Sequence, residues 1–547
     1  MGKGRKAGRC EFSRFSLLSI SPFPLLKGLA LLLLSCVVAC SQPSAGKPFR
    51  PSQSTSSGSS RTINVPANGD VQSALDSAKP GDTIVLEAGS TYSGHFTLRD
   101  KPGSAYITLT TSALSSLPPE GARVNPSFSR YMPKLVSPND GPTVSAVHGA
   151  HHYRFVGIEL HPKEGVYQWD VIAIGQGNET SLSALPHDIV FDRVYIHGDP
   201  AVGSKRGIAL NGASITVENS YISDFKSTEQ DTQALNGWNG PGPFRIVNNY
   251  LEASAENIMF GGSPAAIPNL VPSDITISRN YFVKPLSWNP GDPSFADTHW
   301  VVKNIFELKN ARRVVLDGNI FECGGAAFLY SPRTENRANP WAVVEDVTFT
   351  HNIVHHADGG VTMAGHDDDG LGGRGANFTF RDNLFEDIKS TNWPGATARL
   401  WSIFGGASNV VIDHNTAFGE LSALVFFDGR PLATGFIYTN NIAPPGTHSL
   451  HALEGASDPI IRRNVIYWDG RGNESSPRPA DNFYPKSIDR IGFGNVVEGQ
   501  YQLLPTSPYK NKGTDGKDIG ADLIAIRAAT AGVIEGRIPS TAGGHTK

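Results

Sequence analysis

The chain has 547 residues, including 58 glycines and 38 prolines, and its formal net charge is -4. This length exceeds that of an average domain but is normal for one repetitive domain. The charge is weak and mixed, and the sequence has no basic stripe, so nucleic acid is excluded as an expected partner.

The N-terminus is predicted to be a targeting segment and not part of the fold. Residues 1–9 are basic, and residues 28–39 are apolar but too short for an ordinary membrane-spanning helix. The string VVAC at 37–40 resembles a bacterial lipobox, in which the cysteine becomes the lipidated first residue. We therefore expect a signal peptide over 1–39 and a lipid on Cys40. Ordinary signal cleavage without lipid is the alternative.

Residues 40–60 are rich in serine and proline and are predicted to be a linker that tethers a folded body to a membrane. The expected location is the bacterial cell envelope, or the extracellular space if no lipid is attached, and the expected state is a monomer. The folded body is predicted to span 61–529, with 530–547 as a loose tail. It opens with an amphipathic helix at 70–78 that would cap its first open end.

Nine segments of the body fit one frame: apolar, any, apolar, any, any, Asn, apolar, apolar. The alternation predicts strands, and strands repeated at 23 to 39 residues predict a stacked solenoid. An Asn at one fixed place suits a tight bend, because Asn tolerates the left-handed conformation and its amide can bond a neighbour. Stacked rungs would join these amides into a ladder. The frame also fits 153–160 and 189–196 without the Asn. The ladder positions are Ser220, Asn249, Asn280, Asn319, Asn352, Asn383, Asn415, Asn441 and Asn464.

A second set of short strands lies between the Asn-bearing ones, for example NIFELKN at 304–310 and VTMAGHD at 361–367. The apolar pair after each Asn supplies a third strand per rung. Three strands per rung predict an all-β fold, the right-handed parallel β-helix. The end of the body, 507–526, is predicted to form a final closing rung.

Three motifs resemble the pectin-lyase-like right-handed β-helix superfamily: the Asn-ladder frame, PGDTIVLEAGSTYSG at 80–94 and GTDGKDIGAD at 513–522. The resemblance covers residues 61–525. That superfamily includes polysaccharide lyases, hydrolases, epimerases and non-catalytic adhesins. The resemblance therefore implies the fold and leaves the activity open.

The second strand set contains a candidate site. In NIFELKN the apolar Phe306 and Leu308 would face inwards, so Glu307 and Lys309 would face outwards together, about 6–7 Å apart. Arg333 would project from the next rung, about 4.8 Å away. Neighbouring strands would add Glu256, Asn257 and His366 to the same patch.

This patch has two interpretations. It is either a solvated ladder of cross-strand ion pairs or the floor of a polysaccharide-binding groove. Loops at 283–302 and 334–342 would form the groove walls. They carry Trp288, Trp300 and Trp341, which could stack on sugar rings.

A groove of this kind suits β-elimination on a uronate sugar. The reaction needs a cation to neutralise the carboxylate and a base to take the α-proton. Lys309 is the expected base, Arg333 the expected neutraliser and Glu307 a group that orients Lys309. A close arginine would lower the pKa of a lysine by like-charge repulsion. The preferred hypothesis is thus a lyase whose partner is an acidic polysaccharide.

Two other functions and the presence of a metal site remain open. Glu256 and Glu307 could instead be the carboxylate pair of a hydrolase, and the protein could be a non-catalytic carbohydrate-binding or surface module. The clustered Asp367, Asp368 and Asp369 suggest a calcium site, since hard cations take carboxylates.

Overall fold

A computed structural model describes residues 60–538, except 326, 368–371, 396 and 472–476. In this range the chain winds through three long sheets in a repeating order, and every strand pairs in parallel with its counterpart in the next rung. Parallel crossovers of this kind are right-handed. The predicted fold class, an all-β right-handed parallel β-helix, is confirmed.

Each rung enters sheet 1, bends into sheet 2 and then crosses to sheet 3. Sheet 1 has 16 strands: Thr62–Val65, Thr83–Leu86, Ile107–Thr111, His151–Val156, His187–Asp192, Ala213–Glu218, Phe244–Val247, Ser273–Ser278, Ala311–Asp317, Val343–Thr350, Arg374–Arg381, Ser408–Asp413, Ala433–Thr434, Ile437–Thr439, Ala456–Ser457 and Ile460–Arg462. Sheet 2 has 13: Thr91–Ser93, Lys134–Ser137, Glu159–Pro162, Tyr195–His197, Tyr221–Phe225, Tyr250–Ala253, Tyr281–Val283, Ile320–Gly324, Ile353–Ala357, Leu384–Lys389, Thr416–Glu420, Ile442–Ala443 and Val465–Ile466. Sheet 3 has 12: Phe96–Leu98, Val144–Ala146, Asp170–Ile174, Arg206–Leu210, Gln233–Gly237, Glu256–Phe260, Phe306–Leu308, Phe328–Tyr330, Val361–Ala364, Arg399–Phe404, Ala423–Asp428 and Leu450–His451.

The core lies between the three sheets and is filled by stacked apolar side chains. Phe282 and Phe321 of successive rungs stack with ring centroids 4.4 Å apart. The helix Val71–Ser77 covers the first rung, with Leu75 buried, and the Asp70 carboxylate caps it by accepting from the Ser73 amide. The predicted cap helix is confirmed. The second α-helix is Leu523–Thr530. Short 3-10 helices occupy Leu114–Ser116, Pro126–Tyr131, Leu182–Ala184, Leu286–Trp288, Leu453–Gly455, Ile488–Arg490 and Val496–Glu498.

The predicted Asn ladder is confirmed at the bend between sheets 1 and 2. Asn319 Nδ2 donates to Asn352 Oδ1 at 3.0 Å, and Asn352 Nδ2 donates to Asn383 Oδ1 at 3.3 Å. The backbone N–H of Asn319 also donates to Asn352 Oδ1, at 2.8 Å. The same pattern extends one rung further than predicted, because Asn464 Nδ2 donates to Asn482 Oδ1 at 2.9 Å.

The left-handed residue at each bend is not the ladder residue itself, which corrects the sequence-based expectation. It is the residue immediately before it, whose φ is positive at every rung of the ladder. The backbone turns at that residue, so the following Asn can point inwards and reach its neighbours. The left-handed residues are Asn219, Asn248, Arg279, Gly318, His351, Asp382, His414, Asn440, Arg463 and Asp481.

The C-terminal part departs from two expectations. No strand falls in 507–526; turns lead instead to the helix Leu523–Thr530, whose Leu523 and Ile526 pack against Leu384. The described part of the expected loose tail is held in place, because the Arg123 guanidinium donates to the carbonyls of Val533 and Ile534 at 2.8 and 2.6 Å. Residues 539–547, the predicted signal peptide and Cys40 lie outside the described residues. No helix of the described part is long and apolar enough to cross a membrane.

Candidate functional site

The alternation of strand Phe306–Leu308 places Glu307 on the outer face of sheet 3, as predicted. Phe306 and Leu308 are fully buried in the core. Lys309 Nζ lies 3.6 Å from Glu307 Oε1, and Asn304 Nδ2 donates to Glu307 Oε2 at 3.3 Å. The Lys309 side chain keeps 22 % of its surface exposed while that of Glu307 keeps 4 %. Glu307 is therefore a covered carboxylate that holds an accessible ammonium group.

Arg333 lies on the same face, one rung further along. Its backbone N–H donates to the Lys309 carbonyl at 2.8 Å. Its guanidinium is ion-paired with Asp367 at 3.0 Å. A fifth charged residue, Glu335, is close enough to feel the charges of both Lys309 and Arg333, although burial, the largest effect, raises its pKa. The structure thus brings Lys309 and Arg333 together, as predicted, in a cluster that alternates in sign.

The loop after Arg333 has an unusual backbone. Glu335, Asn336 and Arg337 all have positive φ values, of 50°, 57° and 72°. Runs of left-handed non-glycine residues are strained and concentrate at functional sites. The strain falls on the segment that places Glu335 over the charged cluster.

The predicted calcium ligands do not form an open carboxylate site in the described part of the chain. Asp367 Oδ1 accepts from Arg333, and its Oδ2 accepts from the Thr334 amide at 2.6 Å and hydroxyl at 2.7 Å. Asp367 therefore fits a group that positions Arg333 better than a calcium ligand. Asp368 and Asp369 lie outside the described residues.

A cleft of about 560 Å³ opens beside Lys309 on this face. Its lining includes Lys309, Glu307, Lys303, Trp393 and Arg399, and does not include Arg333. The volume is in the range of small-ligand sites.

Two cations at this cleft were not singled out in the sequence. Lys303 is paired with Asp231 at 2.6 Å. The Arg399 guanidinium lies 3.5 Å from the centroid of the Phe426 ring and has no carboxylate partner within the described ranges. Arg399 is thus an available cation facing the cleft.

Glu256 and Asn257 are both fully buried and do not line the cleft, which corrects their expected exposure. Burial, together with the charge of Glu307, raises the pKa of Glu256 to about 8. Its Oε2 accepts from Gln233 at 2.7 Å. The Asn257 amide donates to the carbonyls of Leu251 and Val283, and its Oδ1 accepts from the buried Lys284 ammonium at 3.2 Å. Asn257 is a structural residue at the turn between sheets 2 and 3.

The tryptophans predicted to line the groove lie elsewhere. Trp288 is buried, and Trp300 is partly buried; the Lys226 ammonium lies 5.8 and 5.3 Å from their ring centroids. Trp341 anchors its loop, because its Nε1 donates to the Leu270 carbonyl at 3.0 Å. The ring that does line the cleft is Trp393.

His366 lies at the edge of this face but outside the cleft lining. Its Nδ1 lies 2.6 Å from the Asp367 carbonyl oxygen, and its Nε2 lies 3.2 Å from the Arg430 carbonyl oxygen. Both ring nitrogens thus face backbone acceptors. In this arrangement His366 ties two loops together and has no nitrogen directed at the cleft.

Comparisons with known proteins match the fold and carry no argument about chemistry. No protein-family model and no curated protein matches the sequence. The PL6 family alginate lyase AlyGC is similar with a TM-score of 0.46 and 13% identity over 84% of this chain and 58% of that one. A mannuronic acid specific polysaccharide family 6 lyase from human gut microbiota has a TM-score of 0.42 and 13% identity over 81% and 91%. The lacto-N-biosidase of family GH136 from Eubacterium ramulus has a TM-score of 0.41 and 13% identity over 67% and 65%.

Proposed function

We propose that the protein is a lyase that cleaves an acidic, uronate-containing polysaccharide by β-elimination on the outer face of sheet 3. One observation carries the proposal. A partly exposed lysine, Lys309, lines a cleft beside the covered Glu307 carboxylate, and Arg333, which is held by Asp367, follows one rung further along. A lyase needs a base and, near it, a cation that neutralises the substrate carboxylate.

In this mechanism the Lys309 amine removes the proton on the carbon next to the substrate carboxylate. The electron pair of that C–H bond forms a carbon–carbon double bond, while the bond from the adjacent carbon to the glycosidic oxygen breaks. The departing oxygen takes a proton back from the lysine ammonium. Arg333 stabilises the negative charge that builds on the carboxylate. Glu307, whose Oε1 lies 3.6 Å from the Lys309 nitrogen, orients the lysine. No step is assigned to calcium.

The cleft of about 560 Å³ is also lined by Lys303 and Arg399, so they are placed to bind the carboxylates of neighbouring uronates. Trp393 lines the cleft as well, but its side chain is buried, so it shapes the cleft and offers little surface to a sugar ring. Lys303 and Arg399 extend the site that the sequence suggested.

The test is a product assay with the purified full chain on a panel of uronate polymers, with and without chelator. A lyase yields products whose new double bond, conjugated with the carboxylate, absorbs in the ultraviolet. Binding without any product would favour the carbohydrate-binding module. Activity that persists in the presence of the chelator would exclude a role for calcium in the reaction.

A hydrolase is the second candidate, because burial and the negative charge of Glu307 raise the pKa of Glu256 to about 8. A carboxyl group with a raised pKa beside a second carboxyl group is typical of a general acid. Against it, Glu256 is fully buried and absent from the cleft lining.

Glu307→Gln separates the two candidates. We expect this variant to lose part of the lyase activity, since the amide still fills the space beside Lys309 but no longer forms the ion pair that orients it. If the protein is instead a hydrolase that uses Glu307, the unaltered protein should release reducing ends without ultraviolet absorbance. The Glu307→Gln variant should then lose all turnover. The measurement is turnover by both readouts on the same samples.

We further propose that the chain is exported and anchored through a lipid on Cys40. The support is the VVAC string after a basic and then apolar N-terminus. We expect the expressed protein to partition into detergent, and Cys40→Ser to release it into the soluble fraction or to block processing. Recovery of the unaltered protein in the soluble fraction, cleaved after Cys40, would contradict the anchor.

A further inference from the structure

Two histidines and a glutamate meet on the outer face of sheet 2, away from the cleft on sheet 3. Strands Glu159–Pro162 and Tyr195–His197 are adjacent, and Tyr195 pairs with Glu159. His161 and His197 therefore occupy matching positions, and their rings stack with centroids 4.6 Å apart. Glu159 lies two residues before His161 and shares its face. One donor atom from each of these three residues lies within 4.8 Å of the others.

The backbone fixes which ring nitrogens are available. His161 Nδ1 lies 2.7 Å from the Pro162 carbonyl oxygen, and His197 Nδ1 lies 2.8 Å from the Gly198 carbonyl oxygen. A carbonyl oxygen only accepts, so each Nδ1 carries the hydrogen. In a neutral ring each Nε2 then presents a lone pair. An Nδ1–H bound to a carbonyl is the outer-shell arrangement that orients metal-binding histidines.

The Glu159 carboxylate is also held in a fixed orientation by its neighbours. Its Oε2 lies 3.2 Å from Lys134 Nζ and accepts from the Ser129 hydroxyl. Its Oε1 lies 3.3 Å from His197 Nε2. A carboxylate oxygen and a ring nitrogen that both carry lone pairs attract each other only through a proton or a cation shared between them.

The site has room for an ion and its remaining ligands. A pocket of about 330 Å³ is lined by His161 and His197 together with Glu164 and Asp199, and Glu159 lies outside its lining. The Asp199 carboxylate accepts from the amides of Gly165, Ala201 and Val202, so the loop around the pocket is fixed. Gly198 cannot be replaced without movement, because a Cβ there would lie 2.3 Å from the Asp224 carbonyl oxygen.

We propose that Glu159, His161 and His197 bind one divalent transition-metal ion, with zinc as the best match. Two neutral imidazoles and one carboxylate form the donor set of three-ligand zinc sites. Calcium is disfavoured, because hard cations take six or more oxygen ligands. This site is independent of the proposed lyase function and lies on a different sheet.

A second histidine group serves as an internal control. His151, His152 and His187 also lie close together on sheet 1. Their nitrogens are already engaged: His151 Nδ1 lies 2.6 Å from His152 Nδ1, His151 Nε2 lies 3.3 Å from Asp100, and His187 Nδ1 lies 2.7 Å from Asp188. His187→Ala should therefore leave zinc binding unchanged.

The experiment uses the full chain stripped of metal by a chelator and then dialysed. Zinc alone is titrated in competition with a chromophoric chelator. We expect one equivalent to bind, and His161→Ala, His197→Ala and Glu159→Gln each to weaken binding by at least about 100-fold, since loss of an outer-shell partner alone costs about 10–100-fold. His187→Ala should bind like the parent.

X-ray absorption spectroscopy of the zinc-loaded parent identifies the ligands of the ion directly, so this part of the test does not depend on whether the variants fold. It should show two imidazole nitrogens and at least one oxygen around the ion. Three outcomes would overturn the assignment: no binding by the parent, binding lost in His187→Ala but kept in His197→Ala, or an all-oxygen shell. A shared proton between His197 and Glu159 would then account for their contact.

Discussion

Lys309→Ala should reduce turnover by about 10²–10⁴-fold, the usual effect of removing the group that transfers the proton. The physical reason is that Lys309 is a partly exposed amine of the cleft that lies beside the covered Glu307 and one rung from Arg333, whereas the second amine, Lys303, is paired with Asp231. The protein should keep its fold, because the Lys309 side chain is partly exposed on the outer face and adds nothing to the core. The measurement is the initial rate of ultraviolet absorbance on the polymer identified in the panel, with circular dichroism to confirm folding.

Lys389→Ala is the matched control. Lys389 is also partly exposed, with 32 % of its side-chain surface accessible, and also forms an ion pair, with Asp387 at 2.8 Å, but it lies on sheet 2. It should retain parental turnover. Arg333→Ala should also lose orders of magnitude, and the double variant should lose less than the sum of both effects, since residues that act as one unit do not contribute additively. Parental turnover in Lys309→Ala would remove the base from the mechanism.

Asn352→Ala should lower the melting temperature clearly while the strand content measured by circular dichroism stays the same. The change removes the acceptor of the Asn319 backbone N–H and the donor to the Leu316 carbonyl, at 2.8 and 3.0 Å. Both ladder residues are fully buried. Each polar group left unsatisfied costs about 1–3 kcal/mol, so a loss of about 2–6 kcal/mol is expected for the two groups.

Asn64→Ala is the control for this effect. Asn64 is exposed on the first strand of sheet 1, outside the ladder. Exposed changes of this type usually stay within about 0.5 kcal/mol. An Asn352→Ala protein as stable as Asn64→Ala would mean that the ladder does not support the bend.

The fold could be predicted from the sequence because the same pattern of apolar residues and a polar bend residue occurs in nine segments. Eight of the nine segments have an Asn at the same bend and the ninth has Ser220 there, so the position is recognisable in the frame. The left-handed residue before it could not be predicted in this way. That position is filled by Asn, Arg, Gly, His or Asp, because only backbone conformation matters there and its side chain faces away from the ladder.

The site was predictable where alternation alone decides the direction of a side chain. Glu307 and Lys309 follow from the buried Phe306 and Leu308. Arg399 was missed because it lies at the start of a strand several rungs away, and only the curvature of sheet 3 brings it to the cleft. The three tryptophans predicted to form the groove walls do not line the cleft, because their loops fold back on the solenoid.

Two features could not be predicted from the repeat: the structure of the C-terminal end and the stacking of His161 on His197. The motif at 513–522 suggested one more rung, but it leads into a helix that packs against Leu384. The frames at 153–160 and 189–196 end one residue before His161 and His197. Only the register between those rungs shows that the two histidines stack.

The most direct test of the central claim is a crystal structure of Lys309→Ala with a bound uronate oligosaccharide. The account predicts that the sugar chain lies in the cleft on sheet 3, with one carboxylate on Arg333 and the adjacent C–H directed at the space left by the lysine amine. Carboxylates of neighbouring sugars should contact Lys303 or Arg399. An oligosaccharide bound on another sheet, or in the cleft with its carboxylate away from Arg333, would contradict the account.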